Sequence, residues 1–262
     1  MSERKVEFTS EAGIGRLRLA CGDRHNAIDD ALVDALAAAV DDLGREPALR
    51  AVLIGADGPS FSVGGDVAHF AGHADDLAAE LDRMVAKLNR ALTRLAKLPL
   101  PVICAAQGAV AGGGLGLLWC SDVILAADDL KIVTGYDRLG LSSDGGNSWA
   151  LPRLVGRRRA RQILFGGRAL DATDALAWGL VDRVVPAAEL AGEADAEARR
   201  LASGPTVAYA QIKRLLDEGE SAGWSEQLDA ERRAMVTCAE TADAREGVES
   251  FVGRRAPAFE GR

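Results

Sequence analysis

Two glycine-rich loops are the segments of this sequence best suited to chemistry, because few side chains cover their backbone N–H groups. The first is Phe61–Asp66, FSVGGD, and the second lies within Ala109–Asp122, AVAGGGLGLLWCSD. Each follows a run typical of a buried strand and precedes a helical pattern. Two such N–H groups aimed at one point would form an oxyanion hole, which stabilises charge developing on a carbonyl oxygen. For the glycine triplet taken by itself, a packing turn is the alternative.

Other uses of glycine loops and of metal-ligating residues find less support in this sequence. Neither loop has the GxGxxG spacing of dinucleotide-binding proteins, and no GK[ST] follows as in a phosphate loop. His69 and His73 are four residues apart, but no HExxH motif surrounds them, so surface positions are expected. The cysteines have no CxxC spacing, and no metal site is predicted. The cysteines are Cys21, Cys104, Cys120 and Cys238.

Composition narrows the class of protein further. The 262 residues carry a formal net charge of −8, and 48% of them are hydrophobic. Since the basic residues are dispersed, nucleic acid is not an expected partner. No apolar signal core begins the sequence and no membrane-length apolar run follows, so no membrane association is expected. We therefore predict a cytoplasmic protein with reduced thiols.

The elements that must position these loops alternate between strand and helix patterns. The alternation predicts an α/β core whose sheet is covered on both faces, followed by helices from residue 187 onward. Strands are expected at Val6–Ser10, Ile14–Ala20, Arg50–Gly55, Pro101–Ala106, Val123–Ala126, Lys131–Thr134 and Leu180–Val185. Helices are expected at Asp30–Leu43, Asp75–Leu98, Ser148–Leu154, Ala160–Phe165 and Ala172–Trp178.

The motifs, taken together and in order, resemble the crotonase superfamily, also called the enoyl-CoA hydratase/isomerase family. They are FSVGGD, AVAGGGLGL, LGLSSDGG, LPRLVG, ALAWGLVDRVV and GVESFVGRRAPAF. The resemblance implies an α/β, crotonase-like spiral of ββα units over residues 1–186. It also implies a C-terminal helical trimerisation region over residues 187–262, in a homotrimer or dimer of trimers. The implied substrate is an acyl-CoA thioester, with coenzyme A entering as part of the substrate and no separate cofactor.

The resemblance also assigns roles by motif position. The thioester oxygen would be held by the backbone N–H groups of Gly65 and Gly113. The remaining implied contacts are with coenzyme A. They involve His25, Ala27, Asp66 and Val67 around the adenine and pantetheine, and Arg254 and Phe259 at the phosphates. An alternative for Asp66 is that it caps the helix that follows.

The acid–base groups then decide the reaction. Hydratases of the family use two glutamates, and the matching positions here are Gly116 and Tyr136. Asp144, in LSSDGG, matches the base of family members that move a double bond. Because double-bond migration needs a single carboxylate, we predict an enoyl-CoA isomerase with Asp144 as acid and base. By its local sequence alone, Asp144 or Ser143 is expected to cap a helix, and the position in the family motif reverses that preference.

Three alternatives stay open. They are a hydratase or lyase with an unconventional base, dehalogenase-like chemistry, and acyl-CoA binding without catalysis. In the related dehalogenase a histidine and a tryptophan accompany the aspartate, and the matching residues here are Asn89 and Tyr136. Tyr136 is expected to orient the acyl group or to hydrogen-bond Asp144, and the alternative is an aromatic side chain that only lines the pocket. The expected lining of the acyl pocket is Phe70, Trp119, Leu139, Leu141 and Trp149.

Overall fold

The computed structural model describes residues 5–166 and 169–262, in which strands and helices alternate. The strands are β1 (Val6–Glu11), β2 (Ile14–Leu19), β3 (Ala51–Ala56), β4 (Val102–Ala106), β5 (Ala109–Ala111), β6 (Val123–Ala127), β7 (Lys131–Val133), β8 (Leu170–Asp171) and β9 (Arg183–Val185). The helices are α1 (Asp30–Leu43), α2 (Val67–Gly72), α3 (Leu77–Ala96), α4 (Leu115–Trp119), α5 (Tyr136–Leu139), α6 (Asn147–Gly166), α7 (Ala172–Ala177), α8 (Leu190–Ala202), α9 (Thr206–Gly219), α10 (Trp224–Ala239) and α11 (Ala242–Val252). The predicted α/β class is confirmed.

The main sheet has the strand order β1-β2-β3-β4-β6-β9. β1 and β2 form an antiparallel hairpin, and the other neighbouring pairs are parallel. Ala12 and Gly13 make the hairpin turn, both at positive φ. Parallel strands bring their carboxyl ends to one edge, where α/β proteins bind ligands. The FSVGGD loop leaves β3 at this edge, and the chain leaving β4 there continues through β5 to the glycine triplet.

Both faces of the main sheet are covered, which explains why its central strands are apolar throughout. In β3, Val52 and Ile54 belong to the core cluster that contains α1 and α3 side chains. Ala51 belongs to a second cluster on the other face, formed with α8. α1 begins where predicted, because the Asp29 side chain accepts a hydrogen bond from the N–H of Leu32.

A second, smaller sheet has the order β5-β7-β8. β7 lies within the strand expected at Lys131–Thr134, whereas β5 and β8 are too short for residue periodicity to predict them. The strand expected over Leu180–Val185 shortens to β9. Leu180 instead forms a turn after α7, in which its N–H donates to the carbonyl of Ala175 at 2.8 Å.

The first of the C-terminal helices packs differently from the three that follow it. α8 packs on the main sheet with Ala194, Ala198 and Leu201 in the core, so the first helix after residue 186 belongs to the body of the protein. α9, α10 and α11 follow it and expose several large apolar side chains. None of the described helices is both long enough and apolar enough to cross a membrane.

Candidate active site

The two glycine loops lie side by side, as the sequence predicts. Ser62 pairs with the strand before the glycine triplet, since its N–H donates to Ala109 and its carbonyl accepts from Ala111 at 2.8 Å. Gly64 has φ +79°, and a Cβ added there would lie 2.8 Å from the carbonyl oxygen of Ala111. A residue with a side chain would therefore force the loops apart.

Gly65 and Gly113 both line a cavity of about 680 Å³ at this edge of the sheet. In the described part of the chain, residues 5–166 and 169–262, no group accepts a hydrogen bond from the N–H of Gly65. Gly113 lies in the 3-10 turn Gly112–Gly114, where the first N–H groups have no partner within the turn. Both N–H groups are thus available to a molecule in the cavity.

The Asp144 carboxylate lies directly against the glycine triplet. A Cβ added at Gly113 would be 3.2 Å from Oδ2 and 3.3 Å from Oδ1 of Asp144. Gly145, at φ +58°, brings this loop close, because a Cβ on it would lie 2.9 Å from the carbonyl oxygen of Gly113. Glycine at both positions lets backbone meet backbone and places the carboxylate against Gly113.

Tyr136 holds this carboxylate in place. Its hydroxyl donates to Oδ1 of Asp144 at 2.5 Å. Burial raises the pKa of Asp144, and the hydrogen bond from Tyr136 opposes part of that rise. Burial and the negative charge of Asp144 in turn raise the pKa of Tyr136, so the phenol keeps its proton and remains a donor. Of the two roles expected for Tyr136, the structure shows the hydrogen bond to Asp144.

Asn147, the first residue of α6, makes hydrogen bonds to several parts of the site, and no pattern in the sequence predicts this role. Its side chain is fully buried. Nδ2 lies 2.9 Å from the Tyr136 hydroxyl, 2.8 Å from the Asp144 carbonyl and 3.1 Å from the Gly112 carbonyl. Its Oδ1 accepts from the indole of Trp119 at 2.7 Å. An asparagine after two glycines resembles an ordinary helix start, so local sequence carries no signal of this role.

Other residues already occupy the space beside Gly116, the position that matches the first glutamate of the hydratases. A Cβ on Gly116 would lie 2.5 Å from Cδ1 of Leu92 and 2.8 Å from the carbonyl oxygen of Gly145. A glutamate could not enter without displacing α3 or the Asp144 loop. Asn89, also on α3, lines the cavity as the motif comparison predicts, but an amide has no basic group to activate water.

The loop expected to meet coenzyme A runs along the FSVGGD loop. The Val63 N–H donates to the His25 carbonyl at 3.1 Å, and the Ile28 N–H donates to Gly64 at 2.7 Å. Buried Asn26 fixes this loop, because its Nδ2 donates to the carbonyls of Asp57 and Ser60 at 2.9 Å. His25 and Ala27 therefore lie beside the cavity and not in its lining, and their contact with coenzyme A remains a prediction.

Asp66 and Val67 have separate roles at the start of α2. The Asp66 carboxylate accepts from the N–H groups of Ala68 and His69 at 3.0 and 3.1 Å, and it pairs with Arg24. The alternative that Asp66 caps its helix is thus confirmed. Val67 is exposed and lines the cavity.

Arg254 and Phe259 do not reach the cavity within one chain. The tail after α11 lies at the amino end of β3, where Arg50 donates to the Phe259 carbonyl at 3.1 Å. Asp243 holds the same tail by accepting from the N–H groups of Glu260 and Gly261. The glycine loops lie at the opposite end of the strand, so a role for these residues at the phosphates remains a prediction.

Three of the five expected lining side chains do line the cavity, namely Phe70, Leu139 and Leu141. Trp119 and Trp149 do not, which corrects the prediction. Trp119 points to Asn147 behind the site. Trp149 is 54% exposed on α6, with the Arg153 guanidinium 4.1 Å from its ring centre. The directions of α4 and α6 place both indole rings outside the cavity, and the spacing of residues in the sequence does not predict those directions.

Known proteins are similar to this chain in both sequence and fold. The family model described as enoyl-CoA hydratase/isomerase matches residues 9–262. The chain is 36% identical to the 1,2-epoxyphenylacetyl-CoA isomerase of Escherichia coli K12, over 96% of this chain and 97% of that protein.

Two solved structures match over nearly their whole length. An enoyl-CoA hydratase from Polaromonas sp. JS666 is 31% identical with a TM-score of 0.91, covering 97% of this chain and 99% of that one. A Mycobacterium abscessus protein described as an enoyl-CoA hydratase/isomerase is 35% identical with a TM-score of 0.95, covering 98% and 100%. This chain has the crotonase fold and belongs to the enoyl-CoA hydratase/isomerase family, which acts on acyl-CoA substrates.

Proposed function

We propose that this protein is an acyl-CoA isomerase that moves a carbon–carbon double bond, with Asp144 as its acid and base. The observation that carries the proposal is the position of the Asp144 carboxylate, which is partly buried against Gly113 and held by Tyr136. The other carboxylate lining the cavity, Asp82, is exposed on α3. The isomerase from Escherichia coli among the relatives is consistent with the same reaction class.

The oxyanion hole would supply the first half of the mechanism. A thioester oxygen between the N–H groups of Gly65 and Gly113 accepts both hydrogen bonds. When a proton leaves the α carbon, negative charge moves onto that oxygen and the two bonds strengthen. This difference between ground state and transition state is what lowers the barrier.

Asp144 would supply the second half by carrying the proton. Its carboxylate takes a proton from the α carbon of a β,γ-unsaturated acyl-CoA, and the double bond shifts into conjugation as an enolate forms. The same carboxyl group then returns the proton to the γ carbon, so atoms and charge balance. Burial raises the pKa of Asp144, which makes the carboxylate a stronger base than an exposed aspartate.

Hydration has less support from the side chains present. Adding water requires a group that orients and deprotonates it. Leu92 and the Gly145 backbone occupy the space at Gly116, and Tyr136 stands where the second glutamate would be. Asn89 likewise removes the base expected for dehalogenase-like chemistry.

The test is the Asp144→Asn variant, assayed with β,γ-unsaturated acyl-CoAs of several chain types. Asparagine keeps the size of the side chain and can still accept the hydrogen bond from Tyr136, so the site should stay folded. We expect turnover to fall by about 100- to 10,000-fold, the usual contribution of a general acid–base group. Affinity for coenzyme A thioesters, measured by calorimetry, should stay within a few-fold.

Asp137→Asn is the matched control, because Asp137 is an exposed acid on the same helix as Tyr136 that does not line the cavity. It should keep full turnover. Retained activity in Asp144→Asn would exclude Asp144 as the base. Incorporation of ¹⁸O from water into the product of the unmodified enzyme would identify a hydratase instead. Binding of acyl-CoAs without turnover would identify a non-catalytic binding protein.

A further inference from the structure

His69, His73 and Glu80 form a cluster outside the proposed catalytic groups. His69 lies in α2, His73 follows at the end of that helix, and Glu80 is in α3. One ligand atom from each residue lies within 4.8 Å of the other two. Their sequence spacing alone does not indicate a metal site, because Glu80 joins the histidines only through the packing of α2 against α3.

Each histidine uses one ring nitrogen in a hydrogen bond, and its other ring nitrogen has no hydrogen-bond partner among the described residues. Nδ1 of His73 lies 2.9 Å from the carbonyl oxygen of His69, which requires Nδ1 to carry the proton and leaves a lone pair on Nε2. Histidines that bind metals characteristically donate their other ring N–H to a carbonyl in this way. The ring centres of His69 and His73 are 4.4 Å apart, so both rings face the same side.

Glu80 supplies a carboxylate that is already fixed in place. Glu80 is 6% exposed, and its Oε1 lies 2.6 Å from Nε2 of His69. Its other oxygen pairs with Arg83, whose guanidinium is shared with Asp30. A cation that binds Oε1 would replace its hydrogen bond with Nε2 of His69, while Oε2 keeps its partner Arg83.

We propose that His69, His73 and Glu80 bind a divalent transition metal of the zinc class. Two imidazoles and one carboxylate are a donor set that zinc accepts, with a fourth position left for water. Zinc bonds of about 2.0–2.2 Å place tetrahedral ligand atoms about 3.5 Å apart. The ligand atoms, which lie within 4.8 Å of one another, must therefore rearrange to this spacing, which rotation of the exposed His73 side chain and separation of His69 from Glu80 can provide.

An occupied site would tie together two walls of the acyl cavity. α2 carries Val67 and Phe70, and α3 carries Val85 and Asn89, all of which line that cavity. The Phe70 ring also packs on Gly65, since a Cβ added at Gly65 would lie 2.6 Å from the ring. A metal between α2 and α3 would thus hold Phe70, and with it the loop of the proposed oxyanion hole.

Zinc binding to the full-length, tag-free protein tests this proposal. Equilibrium dialysis with Zn²⁺ should find one ion bound per chain, and Co²⁺ should produce the visible absorption of a tetrahedral site. Because a ligand that binds only the folded state stabilises it, Zn²⁺ should raise the Tm by about 2–4 °C. His73→Ala, at an exposed position, should fold normally and weaken Zn²⁺ binding by at least about tenfold.

Two further variants separate this site from other zinc-binding groups. Glu80→Gln keeps the side-chain size and should also weaken binding, whereas Cys238→Ser should leave it unchanged. Zinc binding that is absent at millimolar Zn²⁺, or that is equally strong in His73→Ala and Glu80→Gln, would overturn the proposal. Loss of binding in Cys238→Ser would assign the ion to a thiol site and overturn it as well.

Discussion

The chemistry proposed for the site depends on how one partly buried carboxylate is surrounded. Asp144 loses solvation on burial, which raises its pKa, while the hydroxyl of Tyr136 stabilises the ionised form and lowers it. Asn147 donates to Tyr136 and so directs the hydroxyl proton toward Asp144. The protonation state of Asp144 is therefore the net result of two opposing effects, and each can be changed separately.

Tyr136→Phe tests this balance at the residue scale. Removing the hydroxyl removes the effect that lowers the pKa of Asp144, so that pKa should rise further above its ordinary value. A base must be ionised to act, so activity falls as pH drops through this pKa. The acidic limb of the kcat/KM profile should accordingly move to higher pH.

Tyr209→Phe is the matched control, since Tyr209 is the other tyrosine of the chain and packs against the α8 cluster. Its profile should coincide with that of the unmodified enzyme. An acidic limb that stays in place in Tyr136→Phe, or moves to lower pH, would contradict the hydrogen-bonding role of Tyr136.

At the scale of elements, three segments meet at the glycine triplet with almost no space between them. α4 begins directly after the triplet, α3 contributes Leu92, and the loop before α6 contributes the Gly145 backbone. Gly116 is needed because the three segments approach too closely for any side chain. The same close approach brings the Asp144 carboxylate against Gly113.

Gly116→Ala should therefore destabilise the protein. The added methyl group would overlap Leu92 and Gly145, and overpacking of this kind costs about 1–3 kcal/mol. Chemical denaturation measures the loss. Gly192→Ala is the control, because that glycine lies within α8 with nothing within 4 Å of an added Cβ. It should stabilise by about 0.4–1 kcal/mol, and an equal loss in both variants would contradict the packing argument.

At the scale of the whole molecule, the C-terminal helices present an apolar surface that a single chain leaves uncovered. Phe251 and Val252 on α11 are 85% and 78% exposed, and Leu216 on α9 is 71% exposed. We expect large apolar side chains this exposed to be covered by a second copy of the chain. The expected assembly is a homotrimer or a dimer of trimers.

Light scattering should then find a mass three or six times the 27.5 kDa of the chain. Phe251→Glu should lower that mass by placing a charge in the interface. Phe165→Glu is the control, because Phe165 is 75% exposed on α6, outside the C-terminal helices. A monomeric parent protein, or a drop in mass confined to Phe165→Glu, would contradict this assembly.

Much of the fold could be predicted from the sequence, because local patterns carry it. The burial pattern of β3 and β4 requires a sheet covered on both faces, and α1 runs over the residues that its periodicity predicts. The short strands β5 and β8 could not be found, since three or two residues show no period. Their pairing depends on segments distant in the chain, such as Ser62 beside Val110.

The sequence by itself determined the two glycine loops, the absence of a carboxylate at residue 116 and the candidate acid, because these follow from residue identity. Only the tertiary structure decided which groups meet. Asn147 joins Tyr136 to the glycine triplet, Leu92 fills the space at Gly116, and Glu80 comes to the two histidines. These contacts connect residues on different elements, and their distances depend on packing angles that no local pattern encodes.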